Sequence, residues 1–284
     1  MIGFSPRPGR RTVRGFLTGA AAALALASAG ALAQHATDSG HAIPDFTGYY
    51  SQGSSVYLPP AGGGVGPVMD HPEHPHVVIA NGITTPWVGD YTNPNLKPWV
   101  AAEVKKNAET ELSGGFYLVA YQLCYPLGVP LILTQRENIQ LLQEPDVVTI
   151  IYQRDQQVRR IYLDRPHSAN VAPSWYGESV GHYEGDVLVV DTIALDTRAV
   201  VDRYGSPHTE ALHVVERYRI ADDGRALQVD FAVEDPGAFN TAWYGTQKYR
   251  RTNGPIEEIL CAENNRNVQT GGEYNIPIDT TPDF

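Results

Sequence analysis

From about Glu137 to Arg251 the sequence repeats one unit, a short strand-like run followed by a polar turn, and this pattern constrains the fold more than any other feature. IQLL turns through Glu-Pro-Asp into VVTIIYQ, which turns through Arg-Asp-Gln-Gln into VRRIYLD. YGESVGHY turns through Glu184-Gly185-Asp186 into VLVVDTIAL. HVVERYRIA turns through Asp222-Asp223-Gly224 into ALQVDFAVED, and WYGTQKYRR follows. β-Branched and aromatic runs joined mostly by Asp-Gly or Gly-Asp loops predict an antiparallel hairpin meander. About eight such strands are enough to close a barrel, which removes exposed edges. The expected fold is mainly β: a lipocalin-like up-and-down barrel over residues 136–263, with an open curved sheet or a sandwich as the alternative.

The flanking zones read differently. Residues 34–135 form a loop-rich arm whose first part holds LPPAGGGVGP and HPEHPH and shows little periodicity. FTGYYSQ, Phe46 to Gln52, is its one strand candidate. PWVAAEVKKNAETEL starts at Pro98, carries Val100, Val104, Ala108 and Leu112 at four-residue spacing and stops at Ser113-Gly114-Gly115, so a helix is predicted near 98–112. Residues 264–284 read as a polar C-terminal tail.

Residues 1–33 read as an export signal. Arg7, Arg10, Arg11 and Arg14 precede FLTGAAAALALASAGALA, and small residues end the run at Ala31-Leu32-Ala33, as a signal peptidase requires. Its removal leaves 17 basic side chains against 32 acids, a net charge of −15. Phosphate neutralisation needs basic surface, so nucleic acid is excluded as the expected partner; an anionic membrane is excluded in the same way after cleavage. The expected location is the periplasm or the exterior, and the expected partner a small organic molecule. The sequence does not specify an oligomeric state.

The chain has two cysteines, Cys124 and Cys261, and export places them where thiols oxidise. One disulfide is the expected outcome, closing a long loop worth at most about 5 kcal/mol in the chain-entropy model. A metal pair or a nucleophilic thiol is the alternative, and no CxxC spacing supports it.

Acid–base groups are crowded on the strands. Alternation in SVGHYEGDVLVVDT places Val180, His182 and Glu184 on one face and Ser179, Gly181 and Tyr183 on the other. On VRRIYLD, Arg160, Tyr162 and Asp164 share a face, with His167 in the loop beyond. On HVVERYRIA, His213, Arg217 and Arg219 alternate with Val214, Glu216 and Tyr218. If one face lines a pocket, His182 or His213 is the expected base, Asp164 or Glu216 its orienting acid and Arg217 an anion clamp, with Tyr162, Trp175, Tyr176, Tyr183 and Trp243 as the binding aromatics. The structural alternative is turn chemistry at Glu184-Gly185-Asp186 and cross-strand ion pairing by Glu216 and Arg217. Alternation does not say which face is inward.

Other motifs argue mainly by exclusion. In HPEHPH, His71, Glu73, His74 and His76 are candidate zinc or copper ligands, yet prolines intervene and neither a helical i,i+4 pair nor a distant fourth ligand is identified, so no metal is expected. AGGGVGP lacks the lysine and helix of a phosphate loop, and no Gly-x-Ser-x-Gly elbow occurs. No organic cofactor is expected.

CYPLGVP at Cys124 to Pro130, RIYLD at Arg160 to Asp164, SVGHYEGDVLVVDT, Glu216-Arg217, DPGAF from Asp235 and Cys261-Ala262-Glu263-Asn264 together resemble a large group of exported bacterial proteins of mostly unassigned function. The resemblance covers about half the chain and implies secretion and a disulfide. It transfers no reaction. Two functions follow as expectations: a cofactor-free lyase, isomerase or hydrolase acting on a small molecule, or a non-catalytic carrier of an apolar or aromatic ligand.

Overall fold

The computed structural model describes residues 43–52, 54–60, 63–78, 85–115 and 124–261. The expected export signal over 1–33 and the expected polar tail over 264–284 lie outside these residues. Nine strands close into a barrel in sequence order. They are β1 (Gly48–Gln52), β2 (Ile139–Gln143), β3 (Val147–Tyr152), β4 (Val158–Leu163), β5 (Glu178–Glu184), β6 (Val187–Ile193), β7 (His213–Ala221), β8 (Ala226–Glu234) and β9 (Trp243–Thr252). The candidate first strand in FTGYYSQ is β1, and it completes the ring by pairing with both β2 and β9.

Closure around an odd number of strands has a geometric consequence: directions cannot alternate all the way round, so some neighbouring pair must run parallel. That pair is β4 and β5; every other contact around the ring is antiparallel. Here the fold departs from a pure up-and-down meander. Parallel neighbours cannot be joined by a tight turn. The chain therefore leaves β4 at Leu163, crosses over through residues 164–177 and re-enters at Glu178. The quoted hairpin forms as expected, with Glu184 opposite Val187 and Gly185 turning the chain at φ +61°.

Inward side chains make the core. Leu141, Ile150, Ile161, Leu188, Val190, Val214, Val229, Val233 and Tyr249 from seven of the strands belong to one buried cluster. Phe46 and Tyr57 from the arm join it, and Tyr57 packs edge-on against Phe231 and at a tilt against Trp243.

The helix α1 (Pro98–Leu112) matches its expected span and buries Val100, Val104 and Ala108. Proline at its start gives up only an amide that the first turn leaves unbonded anyway. Leu112, the next apolar position, is 47% exposed. Each four-residue step overshoots a full turn by about 40°, so after three steps the side chain has rotated off the buried stripe. Cys124 and Cys261 form a disulfide with Cα atoms 5.5 Å apart, tying the segment between β1 and β2 to the segment after β9. Among the described residues no helix is long and apolar enough to cross a membrane.

Candidate functional site

The parallel junction opens a cleft. Before the β4–β5 ladder begins at Ile161 opposite Ser179, the strands part, and a cavity of about 350 Å³ lies between Val158–Tyr162 and the returning segment Ser174–Ser179. Two glycines hold that segment in place. Gly177 adopts φ +60°, and a Cβ there would lie 2.1 Å from the Ile193 carbonyl oxygen. Gly128, at φ +72°, brings CYPLGVP so close that a Cβ would lie 2.6 Å from the Trp175 carbonyl oxygen. Only glycine supplies both the left-handed backbone and the missing volume.

Aromatic rings wall the cleft and are themselves braced. Trp175 stacks on Tyr125 with centroids 5.3 Å apart and carries the Arg198 guanidinium 4.7 Å from its ring. Tyr162 carries Arg165 at 3.7 Å. Tyr176 stacks on Tyr152 and donates a hydrogen bond to Gln157; burial pushes its hydroxyl pKa well above the usual value. Arg160 and Glu178 supply opposite charges, and Arg159 and Ser179 also line the cavity.

Glu178 begins a chain of acids and imidazoles across the outer wall. Ser168 donates to it from both its amide (2.8 Å) and its hydroxyl (2.6 Å). These bonds, the hydroxyl's first, hold the Glu178 pKa below the usual carboxylate range. His167 lies between two carboxylates, Nδ1 3.1 Å from Glu178 and Nε2 2.8 Å from Asp191. Ionised carboxylates only accept, so both contacts are complete hydrogen bonds when both ring nitrogens carry protons. Asp191 then reaches His213 Nε2 at 2.8 Å. That bond lowers the Asp191 pKa and raises that of His213. The chain joins the crossover loop to β5, β6 and β7.

A second polar cluster is sealed inside the barrel. Arg159 points inward from β4, and both its terminal nitrogens reach Glu216 on β7, one at 2.9 Å. It also donates to Ser179 (3.1 Å) and Thr192 (2.9 Å), while the Tyr218 hydroxyl donates to Glu216 at 2.7 Å. Burial opposes the charge on Arg159 most strongly, but the facing Glu216 carboxylate, its hydrogen bond and the neighbouring tyrosines together outweigh it, and the guanidinium pKa is raised.

The expected site residues divide among several places. His213 belongs to the outer chain and Glu216 to the inner cluster. His182, Glu184 and Arg217 form an exposed patch, with His182 Nε2 3.2 Å and Arg217 Nη2 2.5 Å from the Glu184 carboxylate. Asp164 follows β4 at φ +52°, its amide donating to the Gly181 carbonyl at 2.8 Å. Tyr162, Trp175 and Tyr176 meet in the cleft. Tyr183 accepts a hydrogen bond from Gln143, and Trp243 is a core residue, 2% exposed. The five acid–base candidates thus do not converge on one point.

Sequence reasoning passed over Arg159, Glu178 and Asp191. The signal for Arg159 was present: it shares a face with Ile161 and Leu163, as Glu216 does with Val214 and Tyr218. One charge on each of two otherwise apolar faces marks partners that meet inside. No protein-family model matches the chain, and no curated protein matches it significantly.

Proposed function

We propose that this protein is exported and binds a small, partly aromatic organic molecule in the cleft where β4 and β5 part. The observation that carries the reading is the convergence there of braced aromatic faces, Trp175 and Tyr162, with the opposite charges of Arg160 and Glu178. Rigid aromatic walls bind flat apolar bodies with little loss of side-chain freedom, and a few charged groups fix orientation. A β-barrel is compatible with such binding, and the disulfide fits an oxidising compartment.

The test is to incubate the protein with a panel of aromatic and terpenoid-like metabolites and weigh what is retained. One ligand per chain is expected, with affinity falling at least about tenfold in Trp175→Ala and Arg160→Ala, about 1.4 kcal/mol. A panel without a stoichiometric ligand, or a ligand indifferent to both substitutions, would remove the proposal.

A second reading, proton-transfer catalysis, is favoured by the chain from Glu178 through His167 and Asp191 to His213. Its lowered pKa keeps Glu178 ionised but makes it a weak base, suited to orienting His167 rather than taking a proton, while the raised pKa of His213 favours a proton-donating form rather than a neutral base. This reading expects an altered product in the same incubation, with turnover lost and binding retained in His167→Gln, which lies in the chain but outside the cleft lining. A ligand recovered unchanged from the wild type in every case would leave binding alone.

A further inference from the structure

We propose that His71, Glu73 and His74 bind one divalent transition-metal ion, with zinc as the natural probe. One ligand atom from each of the three lies within 4.8 Å of the others. At zinc–ligand distances of about 2.0–2.1 Å, tetrahedral ligand atoms sit about 3.4 Å apart, so closing the set asks only for small side-chain shifts. Two imidazoles and a carboxylate form a donor set suited to zinc and its neighbours, with a position left open.

Pro72, which interrupts HPEHPH, is what brings the ligands together. The His74 amide donates to the His71 carbonyl at 2.8 Å, closing a turn over residues 71–74 with Pro72 at its second position. Proline presets φ there. A turn places its first and fourth residues side by side, so His71 and His74 approach with ring centroids 5.5 Å apart without the helix that i,i+4 ligands need. His71 is anchored: the residue is 6% exposed, its ring packs on Tyr91 at 4.7 Å, and its amide donates to the Val88 carbonyl at 2.7 Å. Glu73 is exposed and His74 half-buried, which leaves an entry path and side chains free to adjust.

One existing contact would be given up. The Glu73 amide donates to His71 Nδ1 at 3.3 Å. Ligation at Nδ1 displaces this bond directly; ligation at Nε2 displaces it because Nδ1 must then carry the proton. His76 is held elsewhere, stacked on Trp87 with centroids 3.4 Å apart, and serves as the control.

The experiment is zinc titration by calorimetry of the untagged, chelator-treated protein, with melting temperature read in parallel. Wild type and His76→Ala should bind one zinc per chain and melt higher with metal, since a ligand of the folded state stabilises it by mass action. Glu73→Gln and His74→Ala lie on the accessible side of the turn and should fold as the wild type does by circular dichroism, yet bind at least about tenfold more weakly. With Cu(II), electron paramagnetic resonance should show two nitrogen donors in the wild type and one in His74→Ala. Absence of stoichiometric binding would overturn the proposal. So would binding untouched by Glu73→Gln and His74→Ala, which would place the ion on His35, His41 or the outer imidazole chain.

Discussion

The Arg159 guanidinium on β4 and the Glu216 carboxylate on β7 meet inside the barrel, 57 residues apart in sequence, with 1% and 0% of their side chains exposed. Removing one partner leaves a charge buried without compensation, which costs about 3–5 kcal/mol, whereas apolar replacement of both is often nearly neutral. Glu216→Gln or Arg159→Met should therefore lower the urea midpoint severely, and Arg159→Met/Glu216→Leu should recover most of the loss. Strictly additive losses in the double variant would show that the two charges do not act as a pair.

The Asp191–His213 bond makes stability depend on pH in a defined window. His213 has a raised folded-state pKa, so its contribution is full below its unfolded value, near 6.5, and is lost as pH rises through the folded value. Asp191 has a lowered one, so its contribution is full above roughly pH 4 and is lost as pH falls through the folded value. His167 and Glu234 also face the pair, and both partners are partly exposed, which limits the effect to about 1 kcal/mol or less. His213→Gln should destabilise measurably at pH 5.5 and much less at pH 9, as read from urea midpoints. A deficit that grows with pH would contradict the assignment.

The disulfide joins residues 137 apart in sequence. Cys124→Ser/Cys261→Ser should lose stability up to a ceiling of about 5 kcal/mol in the chain-entropy model. The same loss should appear in the wild type under reductant and be absent from the double variant under reductant. An unchanged urea midpoint in the reduced wild type would show that the cross-link does not constrain the unfolded chain.

Gly177 and Gly185 separate backbone strain from collision. Both have left-handed φ, +60° and +61°, but a Cβ at Gly177 meets the Ile193 carbonyl whereas one at Gly185 meets nothing within 4 Å. Gly185→Ala should cost about 1–2 kcal/mol, the conformational penalty alone. Gly177→Ala should cost clearly more and disturb the cleft, seen as a changed environment for Trp175 in near-ultraviolet circular dichroism. Equal losses would mean the crossover segment yields freely.

Much of the barrel is legible in the residues. Turn chemistry at Glu184-Gly185-Asp186 and Asp222-Asp223-Gly224, alternation on VRRIYLD and HVVERYRIA, and the Pro98-to-Gly115 helix signals each act over a few neighbouring residues, and each element forms where they place it. The candidate site is less legible. Tyr162, Trp175 and Tyr176 share the cleft, but the partners of His213 are Asp191 and Glu234, and the partner of Glu216 is Arg159. Those pairings depend on strands that neighbour or face one another only after the ring has closed.

By itself the sequence determined the hairpins, the helix, the available thiols and the partition of each strand into two faces, because these follow from local dihedral preference and a period of two. The tertiary structure alone decided which face turns inward, where the odd ring admits its parallel pair, and which charges meet. A two-residue period is unchanged when inside and outside are exchanged, so only packing of all nine strands against one another resolves it.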